Sequence, residues 1–229
     1  MADNRVIKSI PLEELSDVDT FFTRLSGVDP EHVEPKYGTA VEDAKRIVME
    51  KCSAGLVYER VGIRFREGNT VVFSTGESIE GKVISKVLAD SDELYAFVVT
   101  VKGFDSLGLD DVMLDYFASS WGSAYTECAQ TYVANEIQAI LQQEGKKRTH
   151  IWSPGQHAFD LSNQSALFNL LHPEDIECTL TKRLMMKPVK SASGVIGVID
   201  KDVESILRPC DFCMYKDNCP AAHNDCAVM

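Results

Sequence analysis

Four of the chain's seven cysteines fall near its C-terminal end, as Cys210-x2-Cys213-x5-Cys219-x6-Cys226. A two-residue gap lets two thiolates face one metal ion, and two further thiolates a short loop away complete a four-ligand set. Asp211, Lys216, Asp217, Asn218, Asn224 and Asp225 surround them, so burial as small hydrophobes does not account for these cysteines. Three readings stand: structural zinc, an iron–sulfur cluster, or a metal-free tail. Zinc would explain how so short a segment folds without a core of its own, and His223 offers a Cys3His alternative to Cys226. Cys219-Pro220 matches the Cys-Pro after the last ligand of bacterial cluster motifs, whose other spacings differ. Cys52, Cys128 and Cys178 lie in or beside apolar patterns and read as core residues.

The totals limit what else the chain can do. A formal charge of −12 over 229 residues speaks against a nucleic-acid partner or an anionic membrane surface, since neutralising phosphates requires a face rich in Lys and Arg. No stretch approaches the roughly 20 apolar residues of a membrane span, and MADNRVIKSIPLEE has no basic-then-apolar leader order. A cytoplasmic location is expected, where thiols stay reduced and a close cysteine set signals metal or catalysis.

The elements that must position any site follow from periodicity. Thr39 with Glu42 has capping-box spacing ahead of Val41, Ala44, Val48 and Cys52 on one helical face. Leu56–Phe65 and Thr70–Phe73, rich in β-formers, flank the turn-like Glu67-Gly68-Asn69. Ile79, Val83 and Val87 predict a short helix, and Leu94–Val101 a buried strand. Phe117, Trp121, Ala124, Cys128, Tyr132, Ile137 and Leu141 predict one long helix from about residue 110 to 143, which Gly122 interrupts in propensity only. Gly145-Lys146-Lys147-Arg148 suits that helix's C-terminus. Ser162 is read as capping a helix through Leu171 that His172-Pro173 closes, with Cys178–Thr181 and Gly194–Ile199 as short strands. Strands scattered among helices without βαβ alternation give an α+β class with a mixed or mainly antiparallel sheet.

Three stretches in order carry a resemblance: SWGSAYTECA (Ser120–Ala129), SPG (Ser153–Gly155) and LTKRLMMKPVKSASGVIG (Leu180–Gly197). Together they resemble the reactivation domain of cobalamin-dependent methionine synthase, over roughly residues 40 to 200. The resemblance implies a curved, mainly antiparallel sheet flanked by helices. It also implies S-adenosylmethionine in a shallow groove, and docking on a cobalamin-bearing partner for reductive methylation of cob(II)alamin. The electron would come from a flavodoxin-like or ferredoxin donor. The expected organisation is a reactivation-like domain over 1–207 with a cysteine-rich appendage over 208–229. Such a chain would be a free-standing component of a methyltransferase in methionine biosynthesis, with no room for the other synthase modules.

Carried over residue by residue, the resemblance assigns Ser153, Pro154 and Gly155 to the ligand loop, Ser191, Ser193 and Gly194 to close backbone approach, and Glu127 to a ligand ammonium group. The family loop resembles Arg-Pro-x-Pro-Gly-Tyr, whereas Ile151 and Gln156 stand at its Arg and Tyr positions. Losing a charge-assisted carboxylate contact would cost about 1.5–3 kcal/mol. Arg148 reaches the ligand only if the loop path differs.

Each assignment has a bland counterpart. Ser-Pro-Gly forms turns everywhere, and a glutamate on a long helix is usually solvated. Met185-Met186 reads as core filling rather than a cofactor-facing surface, Trp121 and Tyr132 read as core, and His150 and His157 as surface loop residues. Two further functional readings remain beside the S-adenosylmethionine one. One is a zinc or iron–sulfur redox or docking module for a corrinoid protein. The other is a subunit that completes a split synthase by contact alone.

Overall fold

In the computed structural model, residues 5–156, 158–204 and 206–213 are described. The chain runs β1 (Arg5–Ile10), α1 (Val18–Ser26), α2 (Ala40–Lys51), β2 (Ser53–Glu67), β3 (Thr70–Phe73), β4 (Ser78–Glu80), α3 (Lys82–Val87), β5 (Glu93–Lys102), α4 (Val112–Gln143), β6 (Lys146–Arg148), α5 (Gln164–Leu171), β7 (Thr179–Leu180), β8 (Met186–Lys187) and β9 (Ser191–Asp200). Seven strands form one sheet in the order β4-β3-β2-β5-β9-β6, with β1 also paired to β2, and β7 pairs with β8 apart from it. Every pairing is antiparallel. The α+β expectation holds.

The central strand explains why the sequence reads as a continuous apolar run. Tyr95, Phe97, Val99 and Val101 of β5 face one buried layer with α1, α2 and α4, and Leu94, Ala96 and Val98 face a second layer with α3 and α5. A strand covered on both faces loses the polar half of its alternation. On the first face α4 lies beneath α1 and α2, so it buries side chains on more than one stripe. Trp121 is fully buried, stacks on Phe22 at 3.7 Å between ring centroids and donates its indole N–H to Val41 O at 3.0 Å.

Several local expectations are corrected. The Thr39 side chain does not cap α2; its hydroxyl donates to Asp43 Oδ2 at 2.7 Å instead. Ile79 belongs to β4 rather than to α3. Gly145 turns the chain with φ +73°, so Lys146–Arg148 leaves α4 and pairs with β9 as an edge strand instead of finishing the helix. Asp160, not Ser162, provides the cap ahead of α5, accepting from Ser162 N at 2.8 Å. Met185 is exposed, which corrects its core reading, while Met186 is half-buried, packs against the second layer and also lines a groove. Tyr132 is only partly buried against the first layer.

Among the described residues, no helix is long and apolar enough to cross a membrane.

Candidate functional site

Where α4 passes the start of β9, the surface opens into a cavity of about 250 Å³. Helical spacing sets the first wall: Ser123, Thr126, Glu127 and Gln130 stand at i, i+3, i+4 and i+7 on one face of α4 and line the opening. The second wall is the Ser-Pro-Gly loop, and Lys190, Ser191 and Ser193 form the third. Five of the seven groove residues expected from sequence, Glu127, Ser153, Pro154, Ser191 and Ser193, thus line one cavity.

Gly155 and Gly194 do not line it, and the structure gives each a different task. Gly155 has φ +89°, a conformation that L side chains rarely adopt, and its N–H donates to Phe159 O at 2.7 Å. Gln156 N donates to Ser153 O at 3.2 Å, so residues 153–156 form a closed turn presenting Ser153, Pro154 and Gln156 to the cavity. Gly194 lies opposite Phe97 in the sheet. A Cβ at Gly194 would stand 2.8 Å from the Phe97 ring and 3.0 Å from Trp152 O. Its missing side chain lets the loop lie against β9, where Trp152 and Val195 exchange both backbone hydrogen bonds at 3.0 and 2.9 Å.

The electrostatics of the groove are unusual for a solvated surface. Burial pushes the Glu127 carboxyl up to about 7, against the lowering pull of Arg24 and of a hydrogen bond from Gln130. Gln130 Nε2 donates to Glu127 Oε2 at 3.0 Å. The solvated reading of Glu127 is therefore corrected: one face of its helix turn is closed by protein. Lys190 is held below the usual lysine range by burial, partly offset by the charges of Asp115 and Asp105. Its Nζ donates to Ser119 Oγ and Ser123 Oγ, each at 2.8 Å. Ser191 Oγ lies 2.7 Å from both Pro188 O and Thr100 Oγ1, so its own proton goes to the carbonyl and it accepts from the threonine.

Ile151 is buried in the first layer, turned away from the groove, while Gln156 faces it. Arg148 does not line the cavity; Nη1 donates to Thr149 O at 3.1 Å, and Nε has no hydrogen-bond partner among the described residues. His150 is held below its usual range by burial and by Arg148 and Arg208, which corrects the surface reading, and His157 lies outside the described residues. Sequence reading missed Lys190, Ser123, Thr126, Gln130 and Gln164. The helical offsets of Ser123, Thr126 and Gln130 from Glu127 were the available signal; Lys190 had only its place beside Ser191.

Of the four terminal cysteines, Cys210 and Cys213 are described, both half-buried, while Cys219, Cys226 and His223 lie outside the described residues. Among the described residues, no group of three or more His, Cys, Asp or Glu side chains is placed to hold a metal. Cys210 and Cys213 flank one short turn whose Phe212 meets Trp152 edge-on at 5.7 Å. The internal cysteines are buried as expected, with their thiols pushed up by burial to about 11 for Cys52 and Cys178 and about 12 for Cys128.

No family model matches this chain, and no curated protein matches it in sequence. Among solved structures, the crystal structure of the MetH reactivation domain bound to AdoHcy superposes with a TM-score of 0.64 at 14% sequence identity. The match covers 91% of this chain and 83% of that one. This chain has the reactivation-domain fold. At that identity the likeness is one of fold. Within the reactivation-domain fold, the groove between α4, the Ser-Pro-Gly turn and β9 gathers polar side chains around a cavity.

Proposed function

We propose that this chain is a reactivation-type protein that binds S-adenosylmethionine in the α4–β9 groove and docks on a cobalamin-bearing methionine synthase or related corrinoid protein. The observation that carries this reading is the convergence of Glu127, Ser153, Pro154, Ser191 and Ser193 on one cavity, combined with a fold that in MetH holds AdoHcy. The fit is partial in volume and good in chemistry. About 250 Å³ falls below the roughly 300–1,000 Å³ of enclosed small-molecule pockets, so a nucleoside amino acid would fill the cavity with one end and lie along the open groove with the other. The half-buried Glu127 suits a cationic ligand, and the loop turn offers backbone groups that need shape rather than side chains.

When bound to its partner, cobalamin would receive the methyl group of S-adenosylmethionine after one-electron reduction by a flavodoxin-like or ferredoxin donor, leaving S-adenosylhomocysteine. The residues of this chain bind and orient the methyl donor: α4 supplies charge, β9 supplies hydroxyls, and Trp152 ties the turn to the sheet. Titration calorimetry and equilibrium dialysis with S-adenosylmethionine test the donor half. Saturable binding is expected, and its absence in both measurements overturns it.

A second reading is favoured by two placements. Ile151 is buried in the core at the family's Arg position, and Phe212, flanked by Cys210 and Cys213, packs on Trp152 beside Ser153. The proposed appendage over 208–229 thereby begins against Trp152, the residue that anchors the Ser-Pro-Gly turn to β9. In this reading Cys210, Cys213, Cys219 and Cys226 hold an iron–sulfur cluster or zinc in a redox or docking module. Anaerobic purification with metal analysis separates the two: a colourless protein with zinc and no iron removes the electron-transfer role.

A further inference from the structure

The cavity holds two half-buried groups of opposite charge that do not neutralise each other. Lys190 donates to two serine hydroxyls, Ser119 Oγ and Ser123 Oγ, and among the described residues no carboxylate forms an ion pair with it. An ammonium group has three N–H donors, so one remains. Its aliphatic stem is fixed from below: a Cβ at Gly122 would meet Lys190 Cγ at 3.1 Å and the Phe104 ring at 2.6 Å, and the ammonium lies 5.2 Å from the centre of that ring. Gly122 is the helix position that lets the lysine cross α4 and stay in the groove.

Glu127 is the counterpart. Its one side-chain hydrogen bond among the described residues comes from Gln130, and the Arg24 charge acts on it without a hydrogen bond. A carboxylate accepts about four. Charges left partly buried without partners cost free energy that a ligand can recover. Both poles line the same cavity, an arrangement that suits a ligand carrying a carboxylate and an ammonium group close together. Ser123, which holds Lys190, and Glu127 are four residues apart on α4, about 6 Å along the axis. In an α-amino acid the ammonium and carboxylate hang from one carbon, so one ligand of that class carries both charges within the reach of a single cavity.

We propose that Lys190 and Glu127 are the two poles of an α-amino-acid subsite, Lys190 holding the ligand carboxylate and Glu127 the ligand ammonium group. This rests on the groove reading above and deepens it. It assigns to Lys190, arriving from the β9 side, the carboxylate contact that Ile151 cannot make from the loop.

The test titrates the full chain with S-adenosylmethionine, with L-methionine, and with two thioethers that lack the sulfonium charge: S-adenosylhomocysteine, which keeps both amino-acid groups, and 5′-methylthioadenosine, which lacks them. The variants are Lys190→Met, which keeps the stem packed on Phe104, and Lys190→Arg, which keeps the charge; circular dichroism melts check that both fold. S-adenosylhomocysteine is expected to bind about 10- to 100-fold more tightly than methylthioadenosine. Lys190→Met should remove that advantage without changing methylthioadenosine affinity, and Lys190→Arg should restore part of it. Equal affinity of S-adenosylhomocysteine and methylthioadenosine for the native chain, or unchanged S-adenosylmethionine affinity in Lys190→Met, overturns the assignment while the donor reading stands. Lys190-dependent binding of L-methionine without binding of S-adenosylmethionine keeps the subsite and overturns the donor reading. No binding of either overturns both.

Discussion

Replacing Glu127 by Gln is expected to stabilise the protein and weaken it as a binder at the same time, and the stability gain should depend on pH. Burial raises the folded-state carboxyl from an ordinary 4.5 to about 7. The folded chain then holds this proton more tightly than the unfolded chain. Its stability is therefore unaffected by the group below about pH 4.5, falls as pH rises through the window from 4.5 to 7, and levels off above it. At 1.36 kcal/mol per pH unit, the cost is about 1 kcal/mol at pH 5 and about 3 kcal/mol at pH 8. Glutamine keeps the shape and the acceptor for Gln130 without the charge. Urea unfolding of both chains from pH 5 to pH 8 should show Glu127→Gln gaining by those amounts, while S-adenosylmethionine affinity at pH 8 drops at least tenfold. A stability difference that is the same at pH 5 and pH 8 would refute the buried-carboxylate reasoning.

Other expectations follow from the same geometry. Gly194→Ala places a Cβ against Phe97 and the Trp152 carbonyl; an overpacking loss of about 1–3 kcal/mol in denaturant unfolding should accompany weaker nucleoside binding, and an unchanged midpoint would sink the close-approach argument. Phe212→Ala removes the edge-on ring contact with Trp152, with an expected loss of about 0.5–1.5 kcal/mol and a red shift of tryptophan emission; unaltered emission would show that the turn does not dock there. Trp121→Ala, which empties a fully buried site, should lose about 3–5 kcal/mol, a large part of the 5–15 kcal/mol typical of a domain; a loss under 1 kcal/mol in the same unfolding assay would contradict the stacked packing.

What the sequence disclosed was governed by how local each cause is. β5 and α4 appear at nearly their full extent because their apolar patterns are long, and β3 through its run of β-formers, while β2 runs three residues before and two beyond the Leu56–Phe65 stretch. α4 ends where its pattern stops, but Lys146–Arg148 was not legible as a strand because it has no strand pattern of its own; it is a strand through its partner β9, some fifty residues on. β1 and α1 are hidden in the irregular N-terminal pattern for the same reason, since β1 acquires its state by pairing with β2. Polar residues at the groove were legible where a motif carried them, as with Ser153, Ser191 and Ser193. Lys190 was not, because its significance lies in the serines of α4 that meet it across the fold. The two glycines were assigned to the right region for an incomplete reason: one shapes a turn and the other admits a ring, and neither faces the cavity.

The groove's walls belong to different halves of the molecule. Its helix side chains extend from the layer packed under α1 and α2, while Trp152, which anchors the opposite turn, is embedded in the layer under α3 and α5. A molecule seated there would clasp both layers across the sheet, so its binding free energy would register in the cooperative unfolding of the whole chain rather than in a local loop. At a hundredfold excess over Kd that amounts to about 2.7 kcal/mol, enough to move a melting temperature by several degrees. Melting curves recorded against a collection of nucleosides and amino acids would therefore register occupancy of this groove whatever reaction it serves.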